Sequence, residues 1–235
     1  MHKDLEALLA VQADDAGIRA IRARATDVDR RARALDDERA AAAAAVERAR
    51  LALEREEAKR GALQARVEEH RQLHQRNLAQ LDQVRRLREA TAAQTQVDMA
   101  RQILNEEERE LTALARRIED LRTAHTAHES ALADLDATQQ ESREAIAAER
   151  AAIQGELTEA ASKRDAAAAK VPRGLLSRYE RIRDRRGGEA VFPLRQLACS
   201  SCDTAIPLQR RNQMLDGSAI EVCEGCGVLL YAAGQ

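Results

Sequence analysis

The chain reads as mainly α: a long antiparallel coiled-coil hairpin carrying a small C-terminal β ribbon built around cysteines. Three observations predict this. From about Asp4 to Lys170 there is no proline and only Gly17, Gly61 and Gly155, so helix breakers are nearly absent. Two apolar heptads run through that stretch in registers that do not join. All four cysteines lie in the last 37 of the 235 residues, as two Cys-x-x-Cys pairs.

The first heptad places Val11, Ile18, Ala25, Ala32, Val46, Leu53, Val67 and Leu81 on one seam position. Ile21, Val28, Leu35, Ala42, Ala49, Leu63 and Val84 fall on the other. The second heptad places Leu104, Leu111, Ile118, Leu132, Ile146 and Ile153 on one position, with Leu114, Leu121 and Leu135 on the other. A sustained seven-residue repeat keeps one stripe of a helix against a partner and implies a left-handed supercoil. Val84 and Leu104 hold equivalent positions one residue short of three heptads, so the helix must break between them. The stretch near 88–96, poor in large apolar residues, is the predicted turn. The predicted organisation is a coiled-coil hairpin over 1–170, a short basic connecting helix over 171–188 and a ribbon over 189–235.

Composition fits this architecture. A third of the residues are charged, and one Phe, two Tyr and no Trp leave little aromatic area for a globular core. The net charge of −2 steers the whole molecule toward neither nucleic acid nor membrane. No uninterrupted apolar segment follows the N-terminal Met1-His2-Lys3-Asp4-Leu5, and none approaches the roughly 20 residues that span a bilayer. A cytoplasmic protein with no membrane association is expected.

Pro172 ends the second arm. Leu175 to Arg183 reads as a short amphipathic helix closed by Gly187-Gly188. Ala190–Leu194, Ala219–Val222 and Val228–Tyr231 read as strands, with Asp216-Gly217 as a turn before the second.

The strongest chemical signal is Cys199-x-x-Cys202 and, after 20 residues, Cys223-x-x-Cys226. Two residues between cysteines let both sulfurs of a tight turn reach one ion, and two such turns supply the four thiolates of tetrahedral zinc. Disulfides and a rubredoxin-like iron site are the alternatives. Four thiolates fill the coordination sphere, so one structural Zn2+ is expected. Gly225 and Gly227 are expected to take left-handed conformations in the second turn. The ribbon has too few large apolar residues for a core of its own, and metal binding would supply most of its folding free energy.

Residues 171–195 carry seven arginines against three acids. Arg178, Arg181, Arg183, Arg185 and Arg186, with Arg210 and Arg211 between the metal turns, are candidate contacts for RNA, DNA or a protein partner; a solvated helix face is the plainer alternative. Tyr179 could stack a base. His70, His74, His125 and His128 occupy seam positions and would meet at one level if the turn were centred near 99; with the turn nearer 92 they spread apart. No Gly-rich phosphate loop, activated nucleophile or paired carboxylate constellation is present, so neither an enzyme nor a small-molecule substrate is expected.

The stretch from Val171-Pro172-Arg173-Gly174-Leu175-Leu176-Ser177-Arg178-Tyr179-Glu180-Arg181-Ile182-Arg183, then Gly188, Ala190-Val191, both cysteine pairs, Gly227 and Leu229-Leu230-Tyr231, resembles a bacterial family of zinc ribbon domain-containing proteins. Members carry an N-terminal coiled-coil hairpin and a C-terminal four-cysteine ribbon. The resemblance implies a hairpin, zinc on the four cysteines and a non-enzymatic role linked to nucleic-acid binding, to the sigma-54 transcription factor, or to flagellar or type III secretion assembly. Ser201 stands where the family often has Gly, and Val228 where a basic residue often follows. Two functional expectations result: an adaptor whose ribbon and Arg-rich helix dock nucleic acid or a protein while the coiled coil recruits a second partner, or a purely structural spacer capped by the ribbon.

Replacing Cys199 by Ser is expected to unfold the ribbon and leave the long helices intact. Two-dimensional NMR of the variant tests this, and unchanged ribbon resonances would refute it.

Overall fold

The computed structural model describes residues 3–215 and 220–232. The expected turn at Asp216-Gly217 and the first residue of the strand expected at 219–222 lie outside them. The elements are α1 (Lys3–Gln83), α2 (Leu87–Ala168), α3 (Arg173–Arg186), β1 (Val191–Arg195), β2 (Ala198–Cys199), α4 (Leu208–Leu215), β3 (Glu221–Val222) and β4 (Leu229–Tyr231). The mainly α hairpin with a small β part is therefore what the chain forms. It divides into two compact units. The hairpin unit is Arg33–Arg143, and the ribbon unit joins Met1–Ala32 to Glu144–Gln235.

In the hairpin unit α1 and α2 run antiparallel. Arg39 Nε donates to Asp136 at 2.7 Å, Arg122 Nη2 to Glu57 at 2.6 Å and Arg71 Nη2 to Glu108 at 2.9 Å, so partners descend along α2 as they climb α1. The seam residues are buried or half-buried, with Leu63, Val67 and Ile118 among the most enclosed. Two carboxylates intrude. Glu56 is buried with Lys59 Nζ at 2.7 Å and Arg117 Nε at 3.8 Å. Glu107 is buried between Arg66 Nη2 and His70 Nδ1, each at 2.6 Å. The His70 and Arg66 hydrogen bonds outweigh burial and hold Glu107 below the usual carboxylate range.

The turn falls at residues 84–86, not near 88–96. Small side chains extend the second seam toward the turn, upstream of its first leucine. Ala93, Val97 and Ala100 are buried and sit on the same two seam positions as Leu114 and Leu104, so the second heptad starts earlier than its leucines do. The four histidines do not meet. His70 pairs with Glu107 and His125 with Glu129, His74 is half-buried with Nε2 enclosed and lacking a partner, and His128 is exposed.

In the ribbon unit the same helix pair continues through ion pairs such as Arg24 Nη1 to Glu156 at 2.7 Å and Arg150 Nη2 to Asp29 at 2.6 Å. Its four-stranded sheet has the order β2-β1-β4-β3. β1 pairs antiparallel with β2 and parallel with β4, and β3 pairs antiparallel with β4. One apolar core joins Leu5, Leu8 and Val11 of α1, Tyr179 and Ile182 of α3, and Val191, Met214, Val228, Leu229 and Leu230 of the ribbon. The ribbon thus acquires from two helices the large side chains it lacks, each contributing about 1.5–3 kcal/mol when fully buried.

Polar contacts lock the same junction. Gln12 Oε1 accepts from the backbone N–H groups of Ala190 (3.0 Å) and Val191 (2.7 Å), and its Nε2 donates to Val191 O at 2.9 Å. The carboxylate of Asp15 accepts from Tyr179 Oη (2.8 Å), Arg183 Nη1 (2.9 Å) and Arg164 Nε (3.3 Å), tying α1, α2 and α3 together. Burial alone would raise the Asp15 pKa; the hydrogen bonds from Arg183 and Tyr179 and the charges of Arg183 and Arg164 outweigh it, so the group titrates below the usual range. A depressed carboxylate stabilises the fold above the unfolded-state pKa of about 3.9, and that contribution disappears as pH falls through the folded value.

Asp15→Asn is expected to cost about 3 kcal/mol at neutral pH, because it leaves two arginines short of a buried partner. In urea melts at a series of pH values the deficit should shrink below pH 4. A deficit that stays constant down to the acid limit of folding would contradict the assignment.

Candidate metal centre and its arginine collar

The two metal turns are copies of one local structure. In the first, Asp203 N donates to Cys199 O at 2.8 Å and Cys199 N to Thr204 O at 3.0 Å. In the second, Gly227 N donates to Cys223 O at 2.8 Å and Cys223 N to Val228 O at 2.9 Å. The residue four after the leading cysteine is left-handed in both, with φ of 57° at Asp203 and 73° at Gly227. Asp tolerates that region better than most residues and glycine enters it freely. Only Gly227 of the two expected glycines needs the left-handed region. Gly225 is small for another reason: a Cβ there would collide with Thr204 Oγ1.

The turns bring Cys199, Cys202, Cys223 and Cys226 together, with all four sulfurs within 4.8 Å of one another. Cys199 Sγ lies 3.9 Å from Cys226 Sγ, and Cys202 Sγ lies 3.6 Å from Cys223 Sγ. A tetrahedron with metal–sulfur bonds of about 2.3 Å has edges of about 3.8 Å. A disulfide needs its sulfurs at about 2.05 Å, and all four cysteines are free. The cage is the right size for a metal ion, and it is the one such cluster among the described residues. Burial pushes the Cys199 and Cys226 thiols upward, whereas the Thr204 hydroxyl, 3.2 Å from Cys202 Sγ, and the Thr204 backbone draw Cys202 down. Metal binding displaces thiol protons and is favoured by rising pH.

The structure divides the seven candidate arginines. Arg178 and Arg181 are exposed on α3, and Arg185, also exposed, reaches over the second turn so closely that a Cβ on Gly227 would lie 2.8 Å from Arg185 Nη2. Arg183 is committed to Asp15 and Asp184. Arg186 donates to Ser201 Oγ at 3.0 Å, and its guanidinium sits 5.4 Å from the centre of the Phe192 ring. Arg210, on α4, pairs with Glu221 at 2.6 Å and Glu224 at 2.7 Å and donates to Val222 O at 2.8 Å. Arg211 is half-buried, with its Nε enclosed and unpaired among the described residues. Tyr179 is fully buried on Asp15 and cannot stack a base. Val228 is fully buried, so the position that would carry a basic residue is core.

Sequence reading missed β2, α4, Gln12, Asp15 and Thr204. Thr204 carries one readable signal, a hydroxyl two residues after a ligand cysteine. α4 shows only Leu208 and Met214 as a weak apolar face behind Pro207.

No protein-family model matches the chain, and no curated protein does either. Solved structures do. The CT398 protein of Chlamydia trachomatis is similar over 99% of this chain and 98% of its own, with a TM-score of 0.91 and 19% identity. A Mycobacterium smegmatis protein gives 0.68 and 19% over 99% and 100% of the two chains, and the HP0958 protein of Helicobacter pylori gives 0.56 and 20% over 99% and 98%. The likeness is one of fold. It extends over the helical hairpin and the ribbon together, in chains from three bacteria. No helix among the described residues is long and apolar enough to cross a membrane.

Titrating the reduced protein with Co2+ is expected to saturate at one equivalent with the absorption of tetrahedral thiolate ligation, and Cys202→Ala should weaken or abolish that spectrum. Octahedral-type absorption, or no spectrum with all four thiols reduced, would refute the cage.

Proposed function

We propose that this protein is a non-enzymatic bacterial adaptor of the cytoplasm. Its ribbon, closed by one structural Zn2+, holds an arginine face that docks RNA or DNA, while the hairpin unit engages a protein partner. The observation that carries the reading is the stripe Arg178, Arg181 and Arg185 on α3. These three recur at i, i+3 and i+7 and are exposed, on a helix fastened along its neighbouring face by buried Tyr179 and Ile182 and by the Arg183–Asp15 pair. A rigidly mounted row of guanidinium groups suits backbone phosphates, which supply sequence-independent affinity. The resemblance of residues 171–231 to zinc ribbon domain-containing proteins supports the same reading, and it makes a sigma factor or a flagellar or secretion component a candidate for the protein partner. Zinc is favoured over iron because four thiolates on an ion without redox chemistry suit a structural role. A structural spacer capped by the ribbon is the competing reading.

Fluorescence anisotropy of the zinc-loaded protein with mixed RNA and DNA oligonucleotides at about 50 and 200 mM salt separates the two. Three phosphate contacts predict a fall in affinity on the order of 20- to 40-fold over that range. Replacing Arg178, Arg181 and Arg185 by Ala should abolish most of the binding without unfolding the ribbon. Absence of saturable binding at either salt would leave the spacer reading standing.

A further inference from the structure

The end of the hairpin unit around its turn differs from the rest of that unit in two independent ways. The first is apolar exposure. Of nine large hydrophobic side chains exposed among the described residues, five fall between positions 73 and 103: Leu73, Leu78, Leu87, Met99 and Ile103. Leu87 is 86% exposed and Met99 61%. Elsewhere in the unit only Leu51 is in this class. These residues flank the seam instead of occupying it, so packing α1 against α2 does not cover them. Met99 and Ile103 lie one helical turn apart on α2. Leu73 lies opposite on α1, in the stretch bracketed by the His70–Glu107 and Asn77–Gln96 contacts. They make a strip one helix wide along the hairpin.

The second difference is charge. Positions 71–103 carry six arginines against three acids, whereas the remainder of the hairpin unit carries thirteen basic residues against nineteen acidic ones. Three of the six, Arg85, Arg86 and Arg88, stand around Leu87 at the turn, where Glu89 reaches Arg86 at 3.3 Å. Basic rims round exposed leucine and methionine specify a partner that is apolar along one stripe and acidic beside it.

We infer that the turn end of the hairpin unit is a docking surface for an acidic amphipathic helix of a partner protein. The helix lies along the Leu73–Met99–Ile103 strip with its carboxylates toward Arg76, Arg85 and Arg88. This deepens the adaptor reading, on which it rests, by giving the protein partner a place and a chemistry. The exposed apolar groups distinguish that partner from a nucleic acid, whose phosphates gain nothing from them. The lengthwise strip distinguishes it from a lipid surface, which would meet only the turn.

The test uses the full-length zinc-loaded protein and a labelled synthetic helix with leucine at its a and d positions and glutamate beside them. A peptide of the same composition in scrambled order and a version with lysine for glutamate serve as controls. The acidic helix is expected to bind saturably and at least tenfold tighter than either control. Met99→Ser with Ile103→Ser, and separately Arg85→Glu with Arg88→Glu, should each weaken it at least tenfold, with unchanged helical circular dichroism. Oligonucleotide binding should be the same in these variants as in the parent, so a failed peptide assay beside intact oligonucleotide binding refutes the docking surface and spares the arginine stripe on α3. Equal binding of the scrambled peptide, or indifference to both double variants, overturns the proposal. So does turn-dependent dimerisation in sedimentation velocity, which would assign the surface to a second copy, or turn-dependent co-sedimentation with phosphatidylglycerol vesicles in the absence of peptide binding, which would assign it to lipid.

Discussion

A ribbon with one phenylalanine and no tryptophan cannot enclose itself, and much of the ribbon unit follows from that constraint. Its sheet is too small to have two covered faces, so Leu5, Leu8 and Val11 of α1 and Tyr179 and Ile182 of α3 complete the core. Shared burial demands fixed geometry between helix and strand. Gln12 supplies it by acting as a short length of backbone against Ala190 and Val191, and Asp15 by gathering Tyr179, Arg164 and Arg183. The four-cysteine cage then has a fixed base to close against. Arg183 cannot face a ligand because it is used here, which leaves Arg178, Arg181 and Arg185 as the outward row.

The hairpin unit faces a different problem. Leucine and alanine at heptad positions pack nearly as well when slid by seven residues, so apolar pairing alone tolerates several registers. Buried polar residues restrict the choice. Glu107 of α2 finds both Arg66 and His70 of α1, Glu56 adds Arg117 across the pair to Lys59 of its own helix, and Gln139 donates to Glu38 at 2.9 Å; these contacts between the helices form only in the register observed. A slip would bury the Glu107 carboxylate without a partner, at a cost of several kcal/mol. The exposed pairs, such as Arg39–Asp136, each contribute at most about 1 kcal/mol, and they agree with the same register.

The legible parts of this protein were the periodic and the covalently spaced ones. Heptads announce long helices, and the gap between Val84 and Leu104 announced a break, although alanines at positions 93 and 100 concealed where it fell. Paired cysteines announced the cage because ligand spacing is a local property. What stayed hidden depends on partners distant in sequence. Nothing in Gln12 or Asp15 distinguishes them from the other polar residues of α1 until Val191 and Arg183 are beside them. Tyr179 looked available to a base for the same reason. The seven arginines look alike along the chain and differ only in the acids, rings and turns that the fold sets next to them.

The two strands at the margins of the sheet, β2 and β3, are two residues long each, and each leads into a cysteine turn. A margin that short offers an incoming extended peptide too few unpaired backbone groups to join. The sheet therefore resists the edge-to-edge growth that leads to aggregation. A partner that recognises the ribbon must do so by reading side chains, not by lengthening the sheet, so its specificity can be retuned one surface residue at a time while the backbone scaffold stays untouched.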